Sequence, residues 1–237
     1  MQNEIQVLCT KKVSDSLRQL AAENNICVDE LEFIETVDSV SDEIKNRIIQ
    51  LSAEKINAIF TSSNAAKAVG KIVDEQTNWR IFCIEPSTKK TVENIFSNSS
   101  ITGAAKNAEE LSQKIVEDKS VKQIVFFCGN QRRDLLPVQL KKNGIDVEEL
   151  IVYNTIEKSQ TVSKTYDGIL FFSPSAVRSF FSNNNLKTET TVFAIGKTTA
   201  AEVKKFSNNT IIISDIPDTE KLINEVIQYF NAIKTVK

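Results

Sequence analysis

Histidine is absent from the chain. That excludes a histidine-centred triad, a histidine general base and nearly every catalytic zinc site. Glycine is scarce, six in 237 residues, and none sits in a GxGxxG or P-loop pattern. A glycine-rich nucleotide phosphate site is therefore not expected. The four cysteines, Cys9, Cys27, Cys83 and Cys128, show no CxxC spacing. Three of them end or interrupt apolar runs, where cysteine acts as a small hydrophobe. We read all four as reduced thiols of a cytoplasmic protein. The opening MQNEIQVLCTKK lacks the basic-then-apolar pattern of a secretory leader. No apolar run reaches the length of a membrane-spanning helix. Positive charge is not in excess, with 29 Lys and Arg against 31 Asp and Glu. Neither nucleic acid nor an anionic membrane is expected as the main partner.

What the chain does contain is a copy of itself. At a fixed offset of 111, the segment 60–115 overlays 171–226, so that Phe60 meets Phe171, Ser62 meets Ser173, Thr88 meets Thr199 and Leu111 meets Leu222. At an offset of 119, NNICVDELEFIET (24–36) overlays NGIDVEELIVYNT (143–155), and Cys9 meets Cys128. Two copies of one unit imply two domains, and a cleft between them is where a ligand is expected.

Short apolar runs alternate with helical periodicity. Residues 5–9, 57–60, 80–84, 123–128, 168–172, 191–195 and 210–213 read as strands. Helices are expected over 15–23, 65–73, 108–117, 133–142, 176–181 and 218–230. Near-continuous apolar strands between helices mean parallel sheets covered on both faces. The repeat order permits two pairings of its four segments. The shorter connection favours joining 60–115 with 124–155, which leaves the N-terminal segment to complete the C-terminal domain. The expected fold is α/β, two similar parallel-sheet (flavodoxin-like) domains joined by a two-stranded linker, with the first domain discontinuous. The expected boundaries are 1–30 plus 163–237 for the first domain, 42–147 for the second, and 31–41 and 148–162 for the linker.

Ligands of open parallel sheets bind beyond the carboxyl ends of the strands. The segments there are TSSN (61–64), EPST (85–88), GNQRR (129–133), SPSA (173–176) and GKTT (196–199). Ser, Thr, Asn and Gly ahead of a helix suit capping, and they equally suit an anion held by free N–H groups. For a single loop, capping is the simpler reading. Five such loops in two matched sets point to a multiply anionic ligand. Among the basic residues nearby (Lys67, Arg132, Arg133, Arg178, Lys197), Arg132 is the best placed, directly after Gly129-Asn130-Gln131. The phenylalanines read as core, with Phe172 beside Ser173 the possible exception. Tyr153 departs from its repeat partner Ile34 and brings a hydroxyl to a strand between the domains.

These pieces together resemble the uroporphyrinogen-III synthase family. The segments FFCGNQRRDLLPVQLKKNGIDVEELIVYNT (126–155), ILFFSPSAVRSFF (169–181), FAIGKTTAAEVKK (193–205) and IFTSSNAAKAV (59–69) look like its motifs, in the right order and over essentially the whole chain. The resemblance implies a monomeric, cofactor-free and metal-free lyase of tetrapyrrole and heme biosynthesis. Its substrate is hydroxymethylbilane, a linear tetrapyrrole with eight carboxylates. Water is lost and the ring closes with the last pyrrole inverted. The resemblance implies that Tyr153 is catalytic and that Thr61, Ser62, Thr88, Gly129, Asn130, Arg132, Ser173, Ser175, Gly196, Lys197, Thr198 and Thr199 bind substrate. Glu85 departs from the pattern, standing where the second copy has Gly196. It favours the alternative, a non-catalytic two-domain binding or sensor protein for an anionic tetrapyrrole-like ligand. A phosphoacceptor regulator would need an acidic cluster at the strand ends, which carry Ser, Thr and Gly instead.

Overall fold

The apolar runs form two separate parallel sheets in the computed structural model, which describes residues 4–38, 40–73, 77–132 and 134–235. In chain order the elements are β1 (Ile5–Cys9), α1 (Asp15–Glu23), β2 (Ile26–Glu30), β3 (Ile34–Val37), α2 (Asp42–Ser52), β4 (Asn57–Phe60), α3 (Ser63–Gly70), β5 (Arg80–Ile84), α4 (Ser87–Ile95) and β6 (Ser100–Ala105). There follow α5 (Ala108–Glu117), β7 (Gln123–Gly129), α6 (Leu135–Lys142), β8 (Asp146–Glu157), β9 (Gly168–Phe171), α7 (Pro174–Asn183), β10 (Thr191–Ala194), α8 (Lys197–Val203), β11 (Ile211–Ile213) and α9 (Thr219–Thr235). They fall into two compact units. One combines Met1–Glu35 with Ile156–Lys237, and the other is Thr36–Thr155. Arg133, placed by the sequence at the start of a helix, lies outside the described residues.

In the continuous unit the sheet order is β3-β8-β7-β4-β5-β6, and β8 to β6 are parallel neighbours. Successive residues of a strand face opposite sides. Accordingly Phe60, Cys83 and Phe127 enter one core with Ile48, Leu51, Val69 and Val92 of α2, α3 and α4. Ile59, Phe82 and Phe126 enter the other with Leu111, Ile115, Leu136 and Leu140 of α5 and α6. Buried Trp79 stacks on Phe127 at 5.4 Å and donates its indole N–H to Leu51 O at 3.0 Å.

The discontinuous unit repeats this plan. Its order is β11-β10-β9-β1-β2, with every neighbouring pair parallel. Val7, Cys9, Leu170 and Phe193 face α1 and α9, while Leu8, Ile169, Phe171 and Val192 face α7 and α8. The two repeat offsets now have a structural meaning. β1 and β2 correspond to β7 and β8, and β9, β10 and β11 correspond to β4, β5 and β6. In both sheets the order reverses between the first strand of one repeat and the first strand of the other, at β1/β9 and at β7/β4. Such a reversal opens a crevice at the strand ends.

Helix starts follow their caps. Ser62 accepts Asn64 N–H and starts α3 at Ser63, and Ser173 accepts Ala176 N–H with Pro174 in the first turn of α7. Each of these two helices begins two residues before the expected start, at 63 against 65 and at 174 against 176.

Arg47 of α2 grips Glu148 of β8 with two parallel bonds, Nε–Oε1 2.7 Å and Nη2–Oε2 2.8 Å. The hydrogen bonds from Arg47 hold the Glu148 carboxyl below its usual pKa. A carboxyl depressed in the folded state contributes stability above its unfolded value, about pH 4, and loses it as the pH falls through the folded value. Arg47→Ala is expected to cost at most about 1 kcal/mol near neutral pH. Urea titrations should show that deficit closing as the pH drops below about 4; a deficit independent of pH would mean the bridge is not its source.

Among the described residues no helix is long and apolar enough to cross a membrane.

Candidate functional site

β7 ends at Gly129 with an irregularity in its pairing to β8, so that Gly129 lies opposite Tyr153. The tyrosine ring folds over the glycine. A Cβ built on Gly129 would stand 2.5 Å from Tyr153 Cζ and 2.6 Å from Cε2. No other residue leaves room for that ring. From there the hydroxyl crosses the β7/β4 reversal and donates to Ser62 Oγ at 3.1 Å. Ser62 Oγ also accepts Asn64 N–H at 3.1 Å as the cap of α3. Asn130 locks the other side: its N–H donates to Tyr153 O at 3.2 Å and its Oδ1 accepts Thr155 N–H at 2.9 Å. Tyr153, Ser62 and Asn130, which the sequence singled out separately, thus form one hydrogen-bonded group, with Gly129 beneath the tyrosine ring.

Burial pushes the Tyr153 hydroxyl above its ordinary pKa, and the bond to Ser62 opposes this only in part. The phenol stays protonated at neutral pH and serves as a hydrogen-bond donor. Its repeat partner Ile34 sits in β3, after the chain has left β2, and packs beside Phe33 and Phe180 in the discontinuous unit. The first copy breaks into two strands where the second runs on as the twelve-residue β8. That difference gives the tyrosine its place in one unit alone.

Other candidate residues divide by exposure. Thr88, Ser175 and Thr199 are 4%, 8% and 2% exposed. Their side chains lie within the first turns of α4, α7 and α8, so what they offer a ligand is backbone N–H. Ser173 is occupied as a cap, its Oγ accepting Ala176 N–H at 3.1 Å. Lys197 and Thr198 are exposed, and a Cβ on Gly196 would meet nothing within 4 Å. The space beside Gly196 is therefore open. Thr61 is half-buried at the end of β4.

Arg132 is engaged within its own unit. Its Nε donates to Glu149 Oε2 at 2.5 Å, a second guanidinium nitrogen meets the same carboxylate, and Asp134 lies 3.6 Å away. Lys141 reaches Glu149 as well, at 3.0 Å. An arginine satisfied in this way is a strut between the loop and β8. The departure at Glu85 is partly offset, because Lys89 Nζ stands 4.0 Å from its carboxylate one helical turn on.

Sequence reasoning passed over Lys11, at the β1/β9 reversal of the discontinuous unit. The signal was present, since the offset of 119 aligns Lys11 with Asn130. Three of the four cysteines are buried as neutral thiols. Burial pushes the Cys9 and Cys128 thiols up to about 12 and Cys83 to about 11. Among the described residues no cluster of metal-ligating side chains occurs.

Known proteins resemble this chain in sequence or in fold. Residues 15–224 match a family model described as uroporphyrinogen-III synthase HemD. Uroporphyrinogen-III synthase of Schizosaccharomyces pombe is 28% identical over 162 residues, covering 63% of this chain and 62% of the relative. The chain thus spans less than two thirds of that relative's length. The Saccharomyces cerevisiae enzyme of the same name is 24% identical over 213 residues, covering 77% and 73%. Among solved structures, a mutant uroporphyrinogen III synthase of Thermus thermophilus aligns with a TM-score of 0.68 at 12% identity, covering 98% of this chain and 99% of that one. The Helicobacter pylori uroporphyrinogen-III synthetase also aligns at 0.68, with 16% identity, covering 95% and 99%. These two show the fold. The family model covers well over half of the sequence, and the chain belongs to the uroporphyrinogen-III synthase family.

Proposed function

We propose that the chain closes hydroxymethylbilane to uroporphyrinogen III, removing the terminal hydroxyl as water and inverting the last pyrrole ring. The observation that carries this reading is the Tyr153 hydroxyl, protonated, held over Gly129 and aimed across the sheet reversal at Ser62. A departing hydroxyl needs a hydrogen-bond donor, and a tyrosine with a raised pKa donates without becoming a strong acid. The remaining task is geometric, because unguided closure gives the un-inverted isomer. Holding a flexible chain in one reactive conformation is the larger part of such catalysis. Thr61, Ser62, Asn130, Lys197 and Thr198, together with the first-turn N–H groups of α4, α7 and α8, supply donors to substrate carboxylates. The substrate is a small molecule, neither cofactor nor metal takes part, and the protein works as a cytoplasmic monomer. The linker lies within residues 31–41 and 148–162; the unit boundaries at Glu35 and Thr155 fall inside these stretches.

Coupled to a source of hydroxymethylbilane, the protein should give a large excess of type III over type I porphyrin after oxidation and separation of the isomers. Type I alone would reject catalysis. It would favour the non-catalytic binding or sensor protein to which the half-buried carboxylate of Glu85 points.

A further inference from the structure

The strand ends of the discontinuous unit hold a cation with no anion. Buried Thr10 pins the end of β1 at the β1/β9 reversal, its N–H and Oγ1 both donating to Leu170 O, at 3.1 and 2.7 Å. The next side chain, Lys11, leaves the sheet at that crossing. It is half-buried, donates to Thr219 Oγ1 at the start of α9 at 2.7 Å, and lies 4.2 Å from the centroid of the Phe172 ring. Neither neighbour carries a negative charge. Among the described residues no Asp or Glu forms an ion pair with Lys11. The acid in its field, Asp218, is turned to capping, with Oδ1 accepting Lys221 N–H at 3.0 Å. Burial pulls the Lys11 ammonium below its usual pKa, opposed in part by Cys9 and Asp218. A partly desolvated ammonium has three protons to place and is costly until it is paired. Thr219 takes one of them.

The repeat shows what is distinctive here. Asn130, the counterpart of Lys11, spends its side-chain oxygen on Thr155 N–H and holds β8 in place. Thr61, the counterpart of Phe172, is polar. One copy uses the position for structure; the other presents a charge on an aromatic platform.

We infer that Lys11 binds a carboxylate of the substrate, seated against Phe172 at the β1/β9 reversal. The inference rests on the proposed reaction for the identity of the ligand, and it deepens that reading by naming the unit's charged contact. Lys11→Met keeps the apolar stem and removes the charge. For an octacarboxylic porphyrin we expect Kd to rise about tenfold, or about 1.4 kcal/mol. KM should rise similarly, with kcat and the isomer ratio nearly unchanged. Lys11→Arg should recover most of the affinity. In the unmodified protein the same porphyrin should slow acylation of the Lys11 amine by an activated ester, read by mass spectrometry. Unchanged Kd in Lys11→Met, no recovery in Lys11→Arg, or no protection would overturn the inference, as would failure of the protein to bind the porphyrin. A purely structural role would lower the melting temperature and kcat and leave acylation unprotected. If the protein binds but forms no type III isomer, the reaction reading fails while the Kd comparison still decides the role of Lys11.

Discussion

Gly129→Ala should abolish most of the activity, a loss of about a hundredfold or more, or about 2.7 kcal/mol in the barrier. The new methyl carbon would stand 2.5 Å from Tyr153 Cζ and 2.8 Å from its hydroxyl oxygen, inside any tolerated contact. Gly129 is buried in a paired strand, so the backbone has little freedom to yield. The half-buried ring is the part that moves, and it moves off Ser62. Overpacking of this kind costs about 1–3 kcal/mol of stability. The cause can be isolated. Tyr153→Ala removes the atoms that clash, so adding Gly129→Ala to it should cost little more stability. The two changes should therefore couple by at least about 1 kcal/mol in a double-mutant cycle of denaturant unfolding. Additive effects would show that the glycine serves the turn itself and not the ring. The product should also shift toward type I, because closure then proceeds without its guide.

How much of this was legible in the sequence depends on where each residue sits. β1, β4 and β5 have the bounds their apolar runs mark, because strands between two helical layers must be apolar on both faces. β2 (ICVDE) and β6 (SITGAA) went unread because both lie at sheet edges. An edge strand has one neighbour and partial cover, so its sequence carries polar and small residues. α4 (STKKTVENI) and α8 (KTTAAEV) went unread because each buries few side chains and shows too short an apolar stripe. At the site, the repeat exposed Tyr153 as an exception, but not its partner. Tyr153 and Ser62 are brought together by the β7/β4 reversal, a matter of strand order. The engagement of Arg132 was hidden for the same reason: Glu149 reaches it only through the pairing of β7 with β8. Periodicity reveals burial well, but it says little about which of two polar residues will meet across a sheet.

Tyr153→Phe is the sharper test of chemistry, because it keeps the ring over Gly129 and removes one oxygen. The fold should hold. The lost hydrogen bond to Ser62 is worth about 0.5–1.5 kcal/mol, and Ser62 keeps Asn64 N–H as a donor. The rate should fall about tenfold, or about 1.4 kcal/mol, as expected for a donor that steadies the leaving hydroxyl without transferring a full proton. The direction of the tyrosine's pKa adds a second reading. Burial raises it, so the neutral phenol persists as the pH climbs toward its ordinary value near 10. The wild-type rate should accordingly show no fall that is lost in Tyr153→Phe between about pH 6 and 9. A tyrosine acting as a base, through its phenolate, would instead make the rate rise with pH across that range. If the Phe variant kept both the full rate and the full excess of type III, the hydroxyl would be a packing feature. The catalytic contact would then have to be sought among the backbone donors of the helix starts.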